Sequence, residues 1–125
     1  MIPPLFVWAS ASAEVKALLG EDPVRFWPFA NSPQKGEPLY GLPYAAWSLS
    51  YGSPDNYLGA APDADNAGIR IACYGRTPTE ALSIMTTLRS VFEPHGYVEA
   101  YDGESKDPST GLYVESFVME FWTDR

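Results

Sequence analysis

A few stretches of this chain carry residue types that chemistry uses. The single histidine, His95, stands in "EPHG" two positions after Glu93. A histidine base needs a nucleophile beside it and a carboxylate that orients it. No G-x-S-x-G or comparable element accompanies it, so His95 reads as a residue that helps to end a helix. The single cysteine, Cys73, alternates with Ile69 and Ile71 in "GIRIACYG". A reactive thiolate needs a basic neighbour, and this spacing gives it isoleucines, so Cys73 reads as a small buried hydrophobe. "DADNAG", residues 63–68, imitates the start of a calcium loop and has its glycine at the sixth position. The fifth position is Ala67 and the twelfth, where a bidentate Glu belongs, is Tyr74, so the ligand set fails. Asp63 and Asp65 then read as turn residues that bond their own backbone. "DGESKD", residues 102–107, has acids without ligand spacing and reads as a solvated hairpin tip. No phosphate-binding glycine loop and no Cys/His cluster occurs. The expectation is a protein that is not an enzyme and uses no metal or cofactor.

Composition narrows the class. At 125 residues the chain is one domain by size, and 46% hydrophobic residues support a packed core. The net charge is −8, with eight basic residues scattered along the chain. A clamp on a phosphate backbone needs clustered Lys and Arg, so nucleic-acid grasping is not expected. An acidic wall around DNA would instead let it slide, because like charges do not adhere. No apolar run approaches the ~20 residues of a membrane span. The N-terminus lacks the basic segment of a secretory signal, and a single cysteine suits a reducing compartment.

The elements that must position these residues follow from periodicity. "PPLFVWASASAEVKALLG" is helical, but its apolar stripe slips between Trp8 and Val15, which predicts a break near Ser10–Ser12. "VRFWPF", residues 24–29, is a short strand whose Pro28 belongs at an edge or an end. A proline-punctuated surface connection follows. "YAAWSLSY" and "GIRIACYG" alternate as the two strands of an antiparallel hairpin, residues 44–51 and 68–75. Thr77, Pro78 and Glu80 mark a helix start with a capping box. That helix carries Ala81, Met85, Leu88 and Phe92 inward, flanked by Leu82, Ile84 and Val91, and Ser83, Thr86, Thr87 and Ser90 outward. Such small hydroxyl residues allow a neighbour to approach closely. A hairpin closes the chain, with strands over residues 96–102 and 111–122. The order is α-β-β-β-α-β-β, an α+β fold with helices on a largely antiparallel sheet. Trp47, Leu49, Ile69, Ile71, Met85, Leu88, Phe117 and Phe121 are expected in one core.

Between the hairpin strands lies "GSPDNYLGAAPDADNAG", residues 52–68. It is far longer than a hairpin needs. Pro54 and Pro62 stiffen it, and Tyr57 and Leu58 are set in a small, acidic surrounding.

The strings in order, "ALLG", "PVRFWPF", "LPYAAWSLSYGSPDNYLG" and "PDADNAGIRIACYGRTPTEA", resemble the tail terminator, or tail completion, family of long-tailed bacteriophages and prophages. The matching positions are Ala17 to Gly20, Pro23 to Arg25, Trp27, Pro28, Pro43, Tyr44, Trp47, Ser53, Pro54, Asn56 to Leu58, Pro62, Asp63, Asp65 and Tyr74. The resemblance spans about residues 3–95, and the final hairpin agrees only in kind. Where relatives carry Gln-x-Asp in the third strand, this chain has Arg70 and Ala72. The resemblance implies a hexameric ring of identical subunits that caps the head-proximal end of a tail tube. Such a ring ends tube polymerisation and meets the head–tail connector protein, while DNA passes through without specific binding. The implied partners are a second copy of the chain, the tail tube protein and the connector, within the virion. The expected subunit interface comprises Asn56, Tyr57, Leu58, Asp63, Asp65, Arg70, Ser83, Thr86, Thr87 and Ser90. Alternative readings are another phage neck adaptor and, from a different class, a small-ligand-binding α+β domain.

Overall fold

The computed structural model describes residues 4–21, 24–28, 37, 40–51, 66–108 and 110–122. The broken N-terminal helix is present as α1 (Leu5–Ser10) and α2 (Ala13–Leu19). Two serines make the break. The Ser10 hydroxyl turns back onto the Phe6 carbonyl, and Ser12 adopts an extended backbone and caps α2 by accepting from the Val15 N–H. The rotated stripes then both face inward: Leu5 and Ala9 from α1 and Val15 and Leu19 from α2 are buried.

A five-stranded mixed sheet forms the second layer, in the order β1-β2-β3-β5-β4. β1 (Phe26–Pro28) runs parallel to β2 (Tyr44–Tyr51), and every other pairing is antiparallel. β3 (Asn66–Gly75) lies at the centre, and β4 (Gly96–Lys106) and β5 (Tyr113–Trp122) form the closing hairpin. α3 (Pro78–Phe92) and α1–α2 cover one face. Directly paired residues share a face, so the rows Trp47↔Ile71↔Phe117 and Leu49↔Ile69↔Met119 run across the sheet beneath the helices. Phe121 of β5 extends this sheet face, and Ile84, Met85, Leu88 and Phe92 of α3 close the core from above. Trp47 and Leu49 belong to this cluster but are only partly buried.

Some expectations need correction. β1 is shorter than residues 24–29. β3 begins at Asn66, because Asn66 and Ala67 pair with Trp122 and Phe121 of β5 beyond the end of the β2 ladder. The connection from β2 is therefore residues 52–65. β4 runs on to Lys106, so most of "DGESKD" is strand, and β5 begins at Tyr113. Two register shifts, at Val98/Ala100 and Tyr101/Gly103, let β4 stay paired through this polar stretch, each inserting one extra residue as a β-bulge does. Glu80 bonds the N–H and guanidinium of Arg76 rather than the N–H of Thr77, while the Thr77 hydroxyl accepts from the Glu80 N–H as a cap should. The Arg76 hydrogen bond holds the Glu80 carboxyl below its usual range. Leu82 points outward, with 45% of its surface exposed, because it falls one position outside the arc that meets the sheet.

An arginine fastens the β1 side of the sheet. The Arg25 Nε–H donates to the Pro43 carbonyl at 2.8 Å, and a terminal N–H donates to the Leu42 carbonyl at 3.4 Å. The Leu42–Pro43 peptide bond is cis. The guanidinium passes between Gly20 and Gly41, where a Cβ would lie 2.5 Å and 2.8 Å from Arg25 atoms. Gly20 also has φ +81°, a backbone that glycine alone adopts without strain. The strings "ALLG", "VR" and "GLPY" thus meet at one clamp.

Candidate functional site

Asn56, Tyr57, Leu58, Asp63 and Asp65 lie outside the described residues. What the structure does fix is the base of their connection. Tyr51 and Gly68 are the last register partners of the β2–β3 pair, and β3 itself extends back to Asn66.

The remaining expected interface residues fall on two opposite layers. Ser83, Thr86 and Ser90 are exposed on α3 and Thr87 is half-buried. Thr86, Thr87 and Ser90 meet Ser12 and Glu14 of the α2 start around a shallow polar recess of about 210 Å³. The Thr86 hydroxyl donates to the Leu82 carbonyl at 2.9 Å, which keeps its side chain close to the helix backbone and leaves the surface low. Arg70 lies on the other side of the molecule. Its neighbours Ile69 and Ile71 point to the helices, so Arg70 stands on the opposite sheet face, level with Ser48 and Val118. Its guanidinium reaches past β5 to pair with Asp102, the extra residue of a β4 bulge. Val118 lies between and is buried. The reading of Asp102 as part of a solvated tip is therefore corrected: it is an ion-pair partner within the sheet.

Of the residues considered for chemistry, Cys73 and His95 are among those the structure places. Cys73 is fully buried, and that burial, with Glu115 opposite it on β5, pushes the thiol well above its ordinary pKa. It is not held as a thiolate. His95 ends the 3-10 turn Glu93–His95 that follows α3, in agreement with its reading as a helix terminator. Its ring stacks on Trp8 with centroids 3.7 Å apart and planes 4° apart. Trp8 also meets Phe92 and Phe121, so the stack fastens α1 to the core. Glu115 is the buried charged residue among those described, at 2% exposure, and accepts a hydrogen bond from the Tyr101 hydroxyl. On the opposite face the Tyr97 hydroxyl donates to Glu120. These two ties hold β4 to β5 from both sides. The Glu115 hydrogen bond is the main reason the Tyr101 phenol is raised to about 12. Among the described residues no cluster of His, Cys, Asp and Glu has the geometry of a metal site, and no helix is long and apolar enough to cross a membrane.

The sequence reading missed an apolar groove of about 400 Å³ between α1 and β1, walled by Leu5, Phe6, Val7, Trp27, Pro28 and Trp47 among others. Phe6 and Val7 are exposed at 42% and 64%. The signal was present: α1 is apolar on both sides within six residues, and only the Leu5–Ala9 side has a core to enter. The hydrogen bonding of β1 is also particular. Ala45 donates to the Arg25 carbonyl, so by alternation Trp27 faces β2 and Phe26 and Pro28 face away. Phe26 donates its N–H to the Val24 carbonyl, and proline has none.

No family model, no curated protein and no solved structure matches this chain.

Proposed function

We propose that this chain is a structural subunit of a phage tail: a ring protein that caps the head-proximal end of the tail tube, ends its polymerisation and offers a joining surface to the head–tail connector. The observation that carries the reading is the β2–β3 pair, an antiparallel ladder whose two strands are joined by residues 52–65, far more chain than a hairpin needs. A ring subunit needs an arm that reaches another chain, and these residues hold the Tyr57–Leu58 pair flanked by Pro54 and Pro62. Prolines lower the entropy lost when such an arm docks. The resemblance in the order of the strings supports the same reading. The residues placed on α3 and Arg70 lie on opposite layers, as a head-to-tail contact between identical subunits requires of two different surfaces. The net charge of −8 suits a passage that DNA crosses without being retained.

A small-ligand domain is the less favoured reading. Ligand pockets combine apolar walls with a few convergent polar groups, and the residues around the larger groove are all apolar.

Electron microscopy of tails from particles that encode this chain tests the proposal. Density for this chain with sixfold symmetry at the head-proximal end of the tube is the expected result. A different position or symmetry rejects it. Deleting the gene should give tubes of uncontrolled length that do not join heads.

A further inference from the structure

We draw no further inference here: the strongest candidate, the apolar groove between α1 and the edge strand β1 walled by Phe6, Val7, Trp27 and Trp47, has nothing in the structure to show what covers it.

Discussion

Arg25 shows how a motif can be legible in type and hidden in purpose. It stands in the run that carries the family resemblance, and the sequence does not say what it holds. Its partners are backbone carbonyls of Leu42 and Pro43, and a carbonyl acceptor leaves no mark on residue identity. Replacing Arg25 by Met keeps the stem and removes the donors. The expected loss is about 1–3 kcal/mol, the penalty for part-buried acceptors left without partners, read as a lower denaturation midpoint with an unchanged slope. Tyr101 was equally hidden, because nothing in "EAYDGES" announces a bond to a residue of β5. Its phenol is raised to about 12, chiefly by the bond to the Glu115 carboxylate. The raised value favours the neutral phenol in the folded chain. That contribution is complete below the ordinary tyrosine value of 10.0 and is lost as pH climbs through about 12. In an absorbance titration of tyrosinate, Tyr101→Phe should remove one late-ionising phenol. If the late phase keeps its full amplitude in the variant, the assignment to Tyr101 is wrong.

Elements were the most legible scale. β2, the start of α3 behind its Thr77 cap and the break between α1 and α2 stand where periodicity and capping residues placed them. Local signals failed where a tertiary partner decided the outcome. β3 gains Asn66 and Ala67 because β5 is long enough to pair with them. β4 absorbs "DGESK" because bulges at Glu99 and Asp102 realign it and Arg70 meets the Asp102 carboxylate. Gly96 has a similar cause: a Cβ there would lie 2.2 Å from the Glu120 carbonyl, so the first residue of β4 must be glycine to lie against β5. The core prediction tests the helix–sheet layer. Leu88 is fully buried in α3 among residues of the same cluster as Ile71 and Phe117. Leu88→Ala should cost ~2–5 kcal/mol, which a thermal melt would show as a large downward shift. A melt that stays in place would remove Leu88 from the core.

At the scale of the molecule, the proposed assembly depends on residues 52–65. The hairpin base is fixed by its ladder, so changes at Tyr57 and Leu58 should leave the subunit's own melting temperature nearly unchanged. Replacing both by Ser should impair assembly and yield tails that are overlong or fail to join heads. A double variant that unfolds the isolated subunit assigns the pair to its own core. One that folds and assembles normally moves the interface elsewhere, with the Ser83–Thr86–Thr87–Ser90 face next in line. The candidate contact residues remain a proposal for a physical reason: interface residues are chosen by a second surface that the chain does not encode at those positions. The α1–β1 groove makes the same point, since its walls come from three separate segments and no one segment reads as a wall.

The hydrogen bonding of β1 and the two bulges of β4 bear on what happens when many copies crowd together before they are used. Edge strands with free donors and acceptors template one another, and stacked edges lead toward cross-β fibres. On one side of this sheet Phe26 has committed its N–H within its own chain and Pro28 has none to give. On the other, β4 is divided into short in-register stretches that carry Glu99, Asp102 and Glu104 on or beside them. Neither edge offers a growing fibre a continuous ladder. Pairing between copies through these edges is thereby disfavoured, and contacts with other chains are left to side chains, which can be matched to one partner and refused to the rest.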